Sequence, residues 1–430
     1  MKKLLIIALL CLLAASLFAG GIENKNNMSA GYLRNPSKNT ETNKPDAVFY
    51  NPAGTAFMEE GLYFELANQF LFKEYMHDAT DIAAFDEKYK SVDPVLLYPS
   101  GEVVWNAGKF ALFGAFGVAA GGGAAEYADG SITTVGALLG LQQYLVGIGQ
   151  PALASLVETD SSLNLTAVIF GETIGASYAV NDMVSLSAAI RLIQGKITMK
   201  AELDEEPNAA LAVAGLDDTV LFDAESTAKG YGLVFGIHVK PIEKLDIAMQ
   251  YQTRVDLEYK YDKLDGVPFF LSVVEMEKGD KYKKDIPAML GAGIGYQLLD
   301  KFYTTLSFNY YFNNSADFET GTMGNENDYD NSWEVALGGE YKLNKMVALS
   351  AGAFYSKQGI KDDENSAEVP VLDSVTFGAG AGFNFIEDLT IDVGLMKPIY
   401  FDADYEASAG DLTLSKKLFL VAIGATYKFF

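Results

Sequence analysis

The feature that most constrains this chain is an alternation of apolar and polar residues with a period of two, repeated along most of its length. That period puts successive side chains on opposite faces of a strand. The clearest run is Leu245-Asp-Ile-Ala-Met-Gln-Tyr-Gln-Thr-Arg-Val-Asp-Leu257. Leu245, Ile247, Met249, Tyr251, Val255 and Leu257 share one face, with Thr253 as its polar member. Asp246, Gln250, Gln252, Arg254 and Asp256 take the other. The pattern returns over 302–312, 333–343, 347–355, 375–385 and 389–395.

A soluble sandwich also has alternating strands, and the connections decide against it. Tight turns fall at Asn181-Asp182, Ile242-Glu243, Leu299-Asp300, Asn344-Lys345, Glu387-Asp388 and Asn106-Ala107-Gly108. Between them lie long polar stretches at 76–93, 121–160, 202–222, 262–282, 313–331, 359–372 and 406–414. Short turns on one side and long loops on the other are the layout of an outer-membrane barrel. In hydrocarbon no backbone donor or acceptor goes unpaired, so such a sheet closes on itself. The expected fold is therefore all-β: a transmembrane antiparallel β-barrel of about fourteen strands, both ends periplasmic. The acidic runs Asp204-Glu205-Glu206 and Asp362-Asp363-Glu364 fall in outer loops and read as solvated surface.

The two ends of the chain agree. Lys2 and Lys3 precede an apolar stretch from Leu4 to Phe18, and Ala19-Gly20 follows, the pattern of a cleaved signal peptide over 1–19. Leu17 departs from the usual small residue three positions before the cut. At the other end Phe419, Val421, Ile423, Ala425, Tyr427 and Phe429 alternate outward, a closing strand for barrel assembly machinery to read. Phe430 is one residue beyond that register. The remaining composition excludes rather than proposes. Cys11, inside the signal run, is the one cysteine, and His77 and His238 are the two histidines. No thiol chemistry, catalytic site, metal site or cofactor is expected. A formal charge of −25 argues against nucleic acid as a partner.

Residues 20–61 precede the first strand and do not alternate, leaving 62–430 for the barrel. The stretch from Ala47 to Met58 is too apolar and aromatic for a free tail, and the lumen is the available place for it. The strand face carrying Met289, Gly291, Gly293 and Gly295 has little volume, so it leaves space inside or lets a plug approach the wall.

Phe49-Tyr50-Asn51-Pro52-Ala53-Gly54, just ahead of the first strand, resembles the signature of the FadL/TodX family of hydrophobic-compound transporters. The likeness continues at Gly230-Tyr-Gly-Leu-Val-Phe-Gly236, through Lys240-Pro241 into 244–254, and from Ser332-Trp333 to Asn344. The resemblance implies a fourteen-stranded barrel with an N-terminal hatch in the lumen. It also implies a hydrophobic substrate, caught by an outer groove, that leaves sideways into outer-membrane lipid. Asn51, Pro52, Ala53 and Gly54 then stand for the hatch motif.

The residues themselves add candidates. The outer loop 132–157 is apolar for a loop, and Leu138, Leu139, Leu141, Tyr144, Leu145 and Ile148 read as a groove for substrate capture, with a helical lid that buries this face on the barrel rim as the alternative. Helical spacing fits it, with Gly147, Gly149 and Pro151 dividing it in two. Gly121-Gly122-Gly123 cannot sustain regular pairing and would either start a loop or help open the wall. Arg191 and Arg254, on the polar parity of their strands, are candidate contacts for a carboxylate headgroup, unless neighbouring acids hold them. The expected activity is passage of hydrophobic small molecules, long-chain fatty acids first. The alternatives are a general diffusion porin and a surface adhesin-type barrel.

Overall fold

The computed structural model describes residues 27–430, apart from 83, 86, 275–276, 321–324, 327–328, 361–364 and 408–409. The expected signal peptide and the run Asp362-Asp363-Glu364 lie outside the described residues. Fourteen strands form the wall. They are β1 (Gly61–Asp78), β2 (Val95–Asn106), β3 (Phe110–Tyr127), β4 (Ser161–Ala179), β5 (Val184–Leu203) and β6 (Val220–Ile242). Next come β7 (Leu245–Gln252, then Glu258–Gly266), β8 (Lys281–Lys283, then Met289–Leu299), β9 (Phe302–Tyr311) and β10 (Ser332–Lys342). The last four are β11 (Val347–Lys357), β12 (Ser374–Ile386), β13 (Leu389–Tyr400) and β14 (Gly410–Lys428). Each pairs antiparallel with its chain neighbour. β14 pairs with β1 from Tyr63↔Lys428 to Asp78↔Thr413, which closes the barrel. All six tight turns expected from the sequence connect strands at one rim.

The outer wall carries the apolar half of each alternation. Phe64, Leu66, Val103, Trp105, Leu186, Ile190, Phe419 and Ile423 are exposed, and Tyr178, Tyr296, Tyr341 and Tyr427 mark the rim of short turns. Aromatic girdles of this kind sit where hydrocarbon meets water.

The strands reach far beyond the membrane. At about 3.3 Å per residue, the 20 residues of β5 span roughly 66 Å, against an apolar band of about 25 Å. Along β5 the polarity of the two faces reverses at that limit. Below it, Leu186, Ile190 and Leu192 face out while Ser185, Ser187 and Arg191 face in. Above it, Gln194, Lys196 and Lys200 face out, while Ile193, Ile197, Met199 and Leu203 face in. Water surrounds the upper wall, so the apolar residues turn to the lumen.

The same reversal corrects the reading of 245–257 as one continuous strand. β7 breaks after Gln252 and resumes at Glu258. Ile247, Met249 and Tyr251 do face out, but Val255 and Leu257 are wholly buried on the inside. The break flips the register, and Val255 bridges to Ile286 across the interruption in β8. Gly121-Gly122-Gly123 likewise does not end its strand: β3 continues to Tyr127, with two register shifts around the glycines.

Candidate functional site

The lower lumen is filled by the segment ahead of β1. It folds as α1 (Ala30–Arg34), α2 (Ala47–Tyr50) and a 3-10 turn (Pro52–Phe57). Ser29 caps α1, its hydroxyl accepting from the Tyr32 N–H at 3.0 Å. Small residues of the wall let the segment lie close. A methyl group at Gly293 would come within 2.8 Å of Asn39 and 3.0 Å of Thr40, and one at Gly394 within 2.7 Å of Leu33. The glycine face of β8 thus turns inward and receives the plug.

Charges fix the segment to the wall. Arg34 pairs with Asp392, with Glu340 at 2.9 Å, and donates to the Ser350 hydroxyl at 2.8 Å. Lys44 reaches Asp392 at 2.5 Å, while Lys38 holds Asp46 at 2.7 Å and Glu41 at 2.9 Å within the segment. Buried ions are stable only when so matched, and removing one partner strands the other.

The hatch motif lies at the base of this plug. Asn51 donates both amide hydrogens, to the Glu41 carbonyl at 2.9 Å and to His238 Nδ1 at 2.8 Å. That assignment leaves His238 Nε2–H to donate to Asp246 at 2.9 Å, and the Tyr303 hydroxyl donates to the same carboxylate at 2.8 Å. Pro52 and Ala53 pack over Gly236, where a methyl group would meet them at 3.3 and 3.4 Å. The Ala53 carbonyl accepts from Ser185 at 2.7 Å, and the Gly54 N–H donates to Asn51 at 2.8 Å. His238 is thus an orienting wall residue, tied between hatch and strand.

Above the plug lies a buried cluster of apolar side chains, called the chamber below. Its wall comes from Ile193, Met199, Leu203, Leu163, Ile169, Leu257, Tyr259, Tyr261 and Tyr282. Outer-loop helices roof it: α3 (Ile132–Gly147), α4 (Pro151–Ala154) and α5 (Pro268–Val274). Ser131 and Thr134 cap α3 reciprocally. Glu368, from the loop after β11, accepts from the Thr133 hydroxyl at 2.5 Å and clasps the start of α3. Burial pushes its carboxyl above the usual carboxylate range.

The six groove residues expected from the sequence divide. Leu138, Leu141 and Leu145 are fully buried in the chamber roof, so they are not an open surface groove. Leu139 is half-buried, and Tyr144 and Ile148 are exposed. Tyr144 packs on Phe269 of α5, ring centroids 5.3 Å apart.

The two arginines also separate. Arg254 sits outside the chamber among acids, 2.7 Å from Asp256, 3.6 Å from Asp285 and 4.0 Å from Asp317, and donates to the Ser315 carbonyl at 2.6 Å. Its donors are committed there. Arg191 faces the lumen under the chamber and donates to Gln252 Oε1 at 2.7 Å. Gly171, lacking a side chain, makes room for its guanidinium, which would lie 3.7 Å from an added methyl. Lys284, missed in the sequence reading, lies half-buried in the interruption of β8, its N–H bonded to the Leu257 carbonyl at 2.9 Å. Among the described residues neither Arg191 nor Lys284 is paired with an acid.

Among the described residues the wall has a seam between β2 and β3. β2 and β3 pair only from Asn106↔Ala111 to Ser100↔Gly117. Beyond that rung β2 stays with β1, as far as Leu71↔Val95, while β3 continues paired to β4 alone. Asn68 draws β2 toward β1, donating to the Leu96 carbonyl at 3.0 Å and accepting from the Tyr98 N–H at 2.9 Å. On the β3 side Gly121 and Gly123 take φ of +83° and +78°, the left-handed region open to glycine. The seam ends above where Asp93 accepts from the Glu126 N–H at 2.6 Å. Val92, Leu96 and Leu97 line its outer side and are exposed.

The fold and lumen define an outer-membrane β-barrel closed by its own N-terminal segment. Residues 158–429 match the family model described as outer membrane protein transport protein (OMPP1/FadL/TodX), and the chain belongs to that family. Outer membrane protein P1 of Haemophilus influenzae is 27% identical over 185 residues, 41% of this chain and 40% of that one. The 47 kDa outer membrane protein of Pasteurella multocida is 24% identical over 207 residues, 44% of this chain and 48% of its own length. The chain thus spans less than half the length of the curated relatives it matches. Among solved structures, a Pseudomonas aeruginosa FadL homologue superposes with a TM-score of 0.68 at 17% identity, over 96% of this chain and 100% of that one. The toluene transporter TodX of Pseudomonas putida gives 0.65 at 15% identity, with coverage of 96% and 100%. Likeness at this identity is likeness of fold.

Proposed function

We propose that this barrel passes hydrophobic small molecules across the outer membrane, with long-chain fatty acids as the substrate class. The observation that carries the reading is the reversal of face polarity along the strands. It lines the outer lumen with apolar side chains above the plug. A general porin needs the opposite: a polar, open lumen. Substrate enters through the loops around Tyr144 and Ile148, rests in the chamber, and leaves through the seam between β2 and β3 as the hatch shifts. Outer-membrane lipid receives it.

Arg191 and Lys284 favour an acid over a bare hydrocarbon. A cation in an apolar lumen is costly unless something anionic meets it. A carboxylate meeting either would gain a charge-assisted hydrogen bond of roughly 1.5–3 kcal/mol. Toluene transporters among the solved relatives make aromatic hydrocarbons the competing class. Purified protein titrated with a fatty acid and the fatty alcohol of equal length separates the two. The double variant Arg191→Gln, Lys284→Gln should weaken acid binding by about tenfold or more while leaving the alcohol unchanged. Equal affinity of the native protein for acid, alcohol and toluene would remove the preference for acids.

A further inference from the structure

We propose that Lys73 is the specificity-determining residue of the seam between β2 and β3, a latch that a substrate carboxylate releases. The inference deepens the proposed lateral release and rests on it. Where β3 parts from β2, the carbonyls of β3 lose the strand that should donate to them. In a membrane protein such carbonyls need other donors. Two side chains from the neighbouring strands supply them. Lys73, reaching inward from β1, donates to the Gly122 carbonyl at 2.9 Å and to that of Ala124. The Tyr98 hydroxyl, from β2, lies 3.4 Å from the Val118 carbonyl and 3.5 Å from that of Gly121. These are longer contacts. Together the two residues stand in for the missing ladder across the whole seam, between the Ser100↔Gly117 rung and the Asp93–Glu126 contact.

Replacing a ladder by side chains changes what can open it. Backbone rungs must break together. An ammonium can exchange acceptors one at a time, because its three donors sit on a flexible stem. Lys73 is buried, with its Nζ 5.1 Å from the centre of the Tyr75 ring and the backbone of the left-handed glycines in front of it. In that setting a carboxylate is a stronger acceptor than an amide carbonyl, since both partners are charged. An arriving acid therefore takes the ammonium from Gly122 and Ala124, and the seam loses its charged contacts to those carbonyls. Val95 closes on Gly123, where a methyl group would meet it at 2.8 Å. A neutral hydrocarbon has no group that competes for the ammonium. Arg191, close to Gly171 on the lower side of the same region, is the cation from which the carboxylate would be passed.

The test uses full-length protein in cells lacking other routes for fatty acids, and measures uptake of a labelled fatty acid and of the alcohol of equal length. The native protein should take up the acid faster. Lys73→Met should abolish that preference, lowering the acid-to-alcohol ratio by about tenfold, while binding of acid to the purified protein stays the same. Lys73→Arg should keep it. Tyr98→Phe loosens the latch without touching the charge and should raise both uptakes alike. It also keeps the proposal testable if Lys73→Met does not assemble. An unchanged ratio in Lys73→Met would make Lys73 a structural brace and overturn the proposal, with lateral release still standing. A Tyr98→Phe variant with both uptakes unaltered would also overturn it. Native protein that binds neither compound would overturn the transport reading and the latch together.

Discussion

Asn51 uses both hydrogens of one amide to join the hatch to itself, at Glu41, and to the wall, at His238. Losing it leaves two acceptors unmet in a dry place, and Pro52 adds the packing against Gly236. Replacing both with alanine should therefore loosen the hatch and alter uptake. Barrel assembly should survive, because neither residue belongs to the wall ladder. Failure of the double variant to reach the outer membrane would make the segment structural. Glu172 is a different case. It is exposed on the outer face between Phe170 and Ile174, and its cross-strand neighbours are Phe116 and Leu192. A carboxylate on the lipid face costs free energy, though less than a buried basic group. Glu172→Leu should raise stability in denaturant titrations from lipid vesicles, by roughly 1–2 kcal/mol. A drop would mean that Glu172 has a partner there. At this scale the sequence was uneven. Asn51 stood out through the resemblance of Phe49–Gly54 to the family signature. Lys73 did not, since what it holds, the Gly122 and Ala124 carbonyls, lies about 50 residues away and is brought beside it only by the fold.

The outer loop shows what helical elements added to a barrel hide from sequence. Its apolar residues and its division at Gly147 and Pro151 were legible as α3 and α4. Which of its leucines were covered was not, because that depends on strands distant in sequence. Leu138, Leu141 and Leu145 pack into the chamber. Charging Leu138 and Leu145 to Asp should therefore unseat the loop itself, giving rapid proteolysis within 128–160 on an intact barrel. Charging Tyr144 and Ile148, which are exposed, should leave the loop protected and weaken substrate capture. Equal protease resistance in both double variants would refute the buried roof. The break in β7 was also invisible: alternation continues from Tyr251 to Leu257, and the register flips without any change in the pattern of residue types.

For the whole molecule, strand number and closure could be read from alternating short and long connections, a signal that belongs to barrels in lipid. The sign of the alternation could not. A period of two defines two faces and does not say which looks inward, and β5 shows that the answer changes with height above the membrane. From that reversal comes the central claim, an apolar chamber over a closed lumen. Apolar chains entering it should be bound at about 0.8 kcal/mol per methylene. The most direct measurement pairs fluorescent fatty-acid titration of the purified protein with conductance in planar bilayers. Affinity that rises with chain length and then levels off, together with low conductance, is the predicted result. Large steady conductance with no chain-length dependence would contradict it and leave an open porin.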